Sequence, residues 1–73
     1  MRIEIYQVTK DGHWMNWPEC LEVRDEIDAC EVAADRTNRH GCLIDIVSGN
    51  RPVTSCRPGE VATVNPDFYR PIG

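Results

Sequence analysis

Apolar and polar residues alternate along the N-terminal segment of the chain. Ile3 and Ile5 fall on one side of an extended backbone, whereas Glu4 and Tyr6 fall on the other. A period of two is that of a β-strand, because successive side chains point to opposite faces of a sheet. The pattern therefore predicts a strand over residues 2–9 with one buried face and one mixed face.

A hairpin should follow this first strand. The Asp-Gly pair at residues 11–12 readily supplies the positive φ of a tight turn. We expect the second strand to begin around residues 13–17, to break at Pro18 and to resume over residues 20–23. Because proline has no backbone N–H for a ladder hydrogen bond, this strand should lie at an edge of the sheet or carry a bulge.

In the middle of the chain the pattern changes to that of a helix. Asp25 is a suitable N-cap and Gly41 a suitable left-handed C-cap, which predicts a helix over residues 26–39. At 100° per residue, its apolar side consists mostly of small residues. These are Ile27, Cys30, Ala33, Ala34 and Thr37, with Ala29 at the margin. Side chains this small should let the helix pack close to a sheet.

Two more strands are predicted after the helix. Residues 42–47 are apolar except for Asp45, and every second residue from Cys42 should face the core. A Ser-Gly-Asn turn then leads into a fourth strand over residues 51–56, where Pro52 indicates an edge.

The order β-β-α-β-β predicts a small two-layer α+β domain over residues 1–56, with one helix packed on one face of an antiparallel sheet. A chain of 73 residues has room for one such domain. Prolines and glycines punctuate residues 57–73, which hold a single β-like run at residues 61–64. We interpret this segment as an extended tail that packs on the domain, completing its core, or on a partner.

The composition narrows the class of function. Twelve acidic residues against eight lysines and arginines give a net charge of -4. Nucleic acids and anionic membranes are bound through basic patches, so neither is an expected partner. No apolar stretch is long enough to cross a bilayer, and the N-terminus lacks the apolar region of a signal peptide. We therefore expect a cytoplasmic protein.

Motifs for catalysis are missing from the sequence. It contains no phosphate-binding loop, dinucleotide fingerprint, nucleophile elbow or zinc-protease motif. A domain this small also leaves little room for a pocket of about 300–1,000 Å³, the usual size of a small-molecule site. We expect a protein with no enzymatic activity, no catalytic residues and no cofactor.

Four cysteines are spread along the chain without a C-x-x-C pair: Cys20, Cys30, Cys42 and Cys56. In a reducing compartment they should be free thiols that pack as small hydrophobic residues. Disulfides are the next alternative, and a metal site is the weakest. No metal ligand is assigned.

An acidic surface is the first candidate for partner binding. Seven acids fall within residues 19–35, and the outer side of the predicted helix carries four of them together with one apolar residue. These candidates are Asp25, Asp28, Glu31, Val32 and Asp35. They could dock onto a basic protein surface. The structural alternative is that acids early in a helix stabilise its dipole and that this side is simply solvated.

Aromatic residues form the second candidate surface. Trp14 and Trp17 would point to opposite faces of an extended strand, so one can enter the core while the other lies on the open face of the sheet. The exposed tryptophan, with Tyr6 or Tyr69 nearby, could anchor a protein partner. Stacking on nucleic-acid bases is a weaker alternative because the net charge is negative. The tail could instead cover the same face.

The leading hypothesis is a non-enzymatic interaction protein that binds a basic protein and occludes its nucleic-acid-binding surface. In size and acidity the chain resembles small phage or mobile-element proteins, including anti-CRISPR inhibitors. The alternative is a structural or regulatory module that forms a homodimer through a sheet edge or the open face. A thiol-based metal or redox protein is the least favoured possibility.

Overall fold

The computed structural model describes residues 1–15 and 17–70. Its elements are β1 (Arg2–Val8), β2 (Glu19–Glu22), α1 (Glu26–His40), β3 (Leu43–Ser48), β4 (Arg51–Cys56) and a short 3₁₀ helix (Pro66–Tyr69). The predicted β-β-α-β-β order and the α+β class are confirmed.

The four strands form one antiparallel sheet in the order β2-β1-β3-β4. Pro52 lies on β4, which is an edge strand as predicted. Gly49 and Asn50 connect β3 to β4 with φ angles of 54° and 68°. Two successive positive φ angles are typical of a type I′ turn, whose twist matches that of the strands it joins.

Capping defines both ends of α1. The Asp25 carboxylate accepts a hydrogen bond from the backbone N–H of Asp28 at 2.9 Å. At the other end, Gly41 adopts a left-handed φ of 67°, and its N–H donates to the carbonyl of Thr37. Each cap satisfies a backbone group that the helix leaves unpaired. The predicted caps are confirmed, and the helix extends one residue further, to His40.

The hydrophobic core lies between α1 and the sheet. Branched aliphatic side chains of the sheet, such as Ile3, Ile44 and Ile46, contact Ala29 and Ala33 of the helix, and all five are fully buried. Alanine at these positions lets the helix backbone approach the strands, so a chain of this length can bury a continuous apolar layer.

The buried side of α1 differs from the predicted one. Ile27 was expected in the core but is 56% exposed. Val32 was expected on the charged side, yet it is half-buried and packs against the core. Ala29 is central and not marginal, because the sheet contacts the smallest residues of the helix. The rotation also directs Arg36 toward Glu19 of β2.

The second strand is shorter than predicted. It comprises only Glu19–Glu22, and of the described residues between 13 and 17 only Trp14 makes a β-bridge, an isolated one with Val8. Asn16 lies outside the described residues. Pro18 cannot donate a ladder hydrogen bond, so regular pairing with β1 begins only after it.

The tail packs against the domain at β4. The N–H of Asn65 donates to the carbonyl of Val53 at 2.7 Å, and the side chains of Ala62 and Phe68 are partly buried against the core. The β-like run at residues 61–64 is not a strand. These contacts cover part of the outer edge of β4, and residues 71–73 lie outside the described residues.

Candidate protein-interaction site

The face of the sheet opposite α1 carries a row of polar and aromatic side chains. Tyr6 of β1 pairs with Asp45 of β3, and Asp45 pairs with Ser55 of β4. Their neighbours along the strands, such as Ile5, point into the core. Because side chains alternate between faces, these three point away from the helix. We call this surface, with Glu4 and Trp14, the open-face cluster.

Trp14 is held over this face by two contacts. Its ring stacks on Tyr6 with a centroid separation of 4.0 Å and an interplanar angle of 17°. Its indole Nε1–H donates to Asp45 Oδ2 at 2.8 Å. Even so, 49% of Trp14 is exposed. The indole is therefore fixed in orientation and still accessible from solvent.

Further hydrogen bonds fix the groups around the two rings. The Ser55 hydroxyl donates to Asp45 Oδ1, so both oxygens of this carboxylate have partners. The Tyr6 hydroxyl donates to Glu4 Oε2 at 2.9 Å. That hydrogen bond is the main reason the pKa of Tyr6 is raised above its ordinary value.

This arrangement suits a cationic group of a partner. Stacked aromatic rings offer an electron-rich face to a guanidinium or ammonium group. The carboxylates of Glu4 and Asp45 add negative charge beside the rings, and a carboxylate accepts strong hydrogen bonds from arginine. The open-face cluster therefore combines an apolar contact area with the charge complementary to a basic side chain.

The other two aromatic candidates do not join Trp14 in this cluster. Trp17 is 92% exposed. Tyr69 lies in the tail, where it packs edge-to-face on Phe68 and its hydroxyl donates to Glu26 of α1 at 3.3 Å. The expectation that one tryptophan enters the core is wrong: the residues around Trp14 are not a regular strand, and the core is filled by aliphatic and small side chains.

Most acidic candidates on α1 have partners within the chain. Asp25 is the N-cap, and Asp28 accepts a hydrogen bond from the backbone N–H of Arg24 at 3.1 Å. Asp35 forms ion pairs with Arg36 and Arg39.

Glu31 is different. It is exposed and makes no ion pair or side-chain hydrogen bond with the described residues. The structure thus favours the helix-stabilising interpretation for the three aspartates and leaves Glu31 as the carboxylate on this side that a partner could contact.

Arg36 connects the helix to the sheet. Its Nε and one terminal nitrogen donate to the two carboxylate oxygens of Glu19, each at 2.8 Å. This two-point contact lowers the pKa of Glu19 and raises that of Arg36. The pair fixes the short edge strand β2 to α1.

The cysteines behave mainly as packing residues. Cys30 and Cys56 are buried, and burial raises the pKa of both thiols, which keeps them protonated and weakens them as metal ligands. Cys42 is half-buried and Cys20 is exposed. Over residues 1–15 and 17–70, the structure shows no cluster of three or more histidine, cysteine or acidic side chains that could hold a metal ion.

Comparison with known proteins identifies no family from which a function could be inferred. No protein-family model matches the chain, and neither the curated proteins nor the solved structures contain a significant match. Within the described part of the chain, no helix is long and apolar enough to cross a membrane. Function is therefore inferred from the geometry of the open-face cluster.

Sequence reasoning missed Asp45 as a site residue. The signal in the sequence is a single acid among the otherwise apolar residues 42–47. A lone acid at such a position can simply face solvent, and only the register of β3 with its neighbours shows that Asp45 receives hydrogen bonds from both Trp14 and Ser55.

Proposed function

We propose that this chain is a non-enzymatic binding protein that docks its open-face cluster onto a basic surface of another protein. The observation that carries the proposal is that Trp14 is half exposed yet fixed by Tyr6 and Asp45. Tryptophan and tyrosine are frequent anchors in protein interfaces. An anchor that is already ordered loses little conformational entropy when it binds.

The charge of the partner follows from the charge of the site. Glu4 and Asp45 lie beside the rings, and the chain has a net charge of -4. A negative protein associates faster with a positive surface, and the effect weakens as salt is added. Basic protein surfaces commonly contact nucleic-acid phosphates. Occlusion of such a surface, as a small phage or mobile-element inhibitor would achieve, is part of this proposal.

Self-association is the second candidate, and the edges of the sheet give it less support. The outer edge of β4 is partly covered by the tail, as the hydrogen bond between Asn65 and Val53 shows. The other edge, β2, is four residues long and begins and ends with glutamate. Short, charged edges pair poorly with one another. Light scattering at two protein concentrations should show a monomer, whereas a dimer would favour the self-association candidate.

A short arginine-rich peptide is a direct probe of the proposed site. In an NMR titration of the intact chain, we expect the largest shifts at Tyr6, Trp14 and Asp45. Trp14→Ala should weaken binding about tenfold, since aromatic anchors contribute more than 1 kcal/mol. Trp17→Ala is the matched control, because Trp17 is 92% exposed and lies outside the cluster. Equal losses in the two variants would contradict the proposal.

A further inference from the structure

A cleft of about 560 Å³ opens at one end of the sheet, where β1 and α1 end and β3 begins. Its apolar lining includes Met15, Leu43 and Pro58, and its basic side chains are Lys10, Arg57 and His40. The size falls within the usual range of small-molecule sites. A cleft of this size is present although a domain this small was expected to leave little room for one.

The charge of this cleft is opposite to that of the whole chain. Among the described residues, lysine, arginine and histidine line it together with one thiol, Cys42, but no aspartate or glutamate does. The chain as a whole has twelve acids against eight lysines and arginines. The charge in this cleft is therefore positive, although the net charge of the chain is negative.

The two permanent cations of the cleft are not neutralised within the described part of the chain. Neither Lys10 nor Arg57 forms an ion pair there, whereas Arg24, Arg36 and Arg39 each pair with an aspartate or glutamate. The C-terminus of α1 adds only a partial negative charge of about half a unit near the cleft. The Glu60 carboxylate accepts a hydrogen bond from the backbone N–H of Arg57 at 3.0 Å and offsets part of the positive charge. The side chains of Lys10 and Arg57 still have no ion-pair partner among the described residues and can contact an external anion.

We propose that this cleft binds a small organic phosphate, with Lys10 and Arg57 holding the phosphate and the apolar lining holding the organic part. A guanidinium donates two parallel hydrogen bonds to phosphate oxygens, and an ammonium acts as a point charge. Met15, which is 50% exposed, and Leu43 offer apolar contact to a ring or chain. This site is separate from the open-face cluster, since none of the cluster's five residues lines it.

Adenosine 5′-monophosphate is a suitable probe because it joins a phosphate to an aromatic ring. In an NMR titration, the shifts should concentrate in residues 7–12, 40–43 and 57–58. Inorganic phosphate and uncharged adenosine, titrated separately, should each bind more weakly. The absence of localised shifts, or inorganic phosphate binding as tightly as the nucleotide, would overturn the proposal.

Two double variants with the same net charge distinguish binding in the cleft from a general effect of net charge on nucleotide affinity. Lys10→Gln with Arg57→Gln changes the net charge from -4 to -6 and should weaken nucleotide binding about tenfold or more. Arg2→Gln with Arg24→Gln makes the same change in charge outside the cleft and should leave binding nearly unchanged. An equal loss in both double variants would show that the cleft is not the binding site.

Discussion

The outer side of α1 and the open face of the sheet both display acidic groups, but those groups have different partners. On the helix, Asp25, Asp28 and Asp35 bind backbone N–H groups or arginines of the same chain. On the sheet, Asp45 holds an exposed tryptophan in place. Acidic density alone therefore does not identify a binding surface. What distinguishes the sheet is that its charges orient an accessible aromatic group.

The largest expected change in the free energy of unfolding is on the buried side of α1. Changes on its outer side should be smaller. Ala33 is fully buried against the sheet. Ala33→Leu should destabilise the fold by about 2 kcal/mol, because the extra methyl groups force the helix away from the strands. Ala34→Leu, at a half-buried position, should cost less. Urea denaturation of both variants measures the difference, and equal midpoints would contradict the packing described here.

Reversal of the helix aspartates should cost stability, in contrast to reversal of Glu31. Asp28→Lys with Asp35→Lys removes the hydrogen bond to the Arg24 N–H and three ion pairs, and it places a cation in the first turn of α1. We expect a loss of about 1–2 kcal/mol. Glu31→Lys should change stability by less than about 0.5 kcal/mol. Denaturation curves that coincide would show that the aspartates are only solvated.

The ion pair between Glu19 and Arg36 should make the stability of the fold depend on pH. The folded pKa of Glu19 lies below its ordinary value of 4.5, because Arg36 stabilises the carboxylate. The contribution of the pair is therefore present above pH 4.5 and is lost as the pH falls through the folded pKa. Glu19 is 46% exposed, so we expect about 0.5 kcal/mol. Glu19→Gln should flatten the acid limb of the stability curve, and Glu31→Gln should not; identical acid limbs would contradict the prediction.

The two tryptophans should differ in how firmly their side chains are held. The indole N–H of Trp14 is bonded to Asp45, whereas Trp17 is 92% exposed. The indole proton of Trp14 should exchange with solvent more slowly than that of Trp17, by a factor that reflects a surface hydrogen bond of about 1 kcal/mol. Asp45→Ala should remove the difference. Equal exchange rates in the unmodified protein would show that Trp14 is not fixed.

Local patterns were sufficient to predict much of the fold. Asp25 and Gly41 mark the ends of α1 because capping depends on residues close in sequence. The alternation over β3 predicted its buried face for the same reason. The rotation of the helix depends on contacts between residues far apart in the chain, such as Arg36 with Glu19, 17 residues away, which helical angles alone cannot supply.

The candidate site was predictable only in part. Trp14 was a candidate anchor because of its residue type, but its hydrogen-bond partner Asp45 is 31 residues away. Their contact requires the bridge between Val8 and Trp14 and the register of β1 with β3. Such long-range contacts depend on how the strands pair in the folded sheet. The hydrophobic periodicity of a single segment does not reveal them. The cationic cleft combines three distant segments for the same reason.

The most direct test of the central claim compares two variants that each remove one negative charge. Asp45→Asn alters the open-face cluster, and Glu31→Gln alters the outer side of α1 at its one acid without a partner among the described residues. Binding of the arginine-rich peptide, measured by calorimetry at low salt, should weaken about fivefold or more in Asp45→Asn and stay nearly unchanged in Glu31→Gln. The opposite order, or equal losses, would contradict the assignment of binding to the sheet.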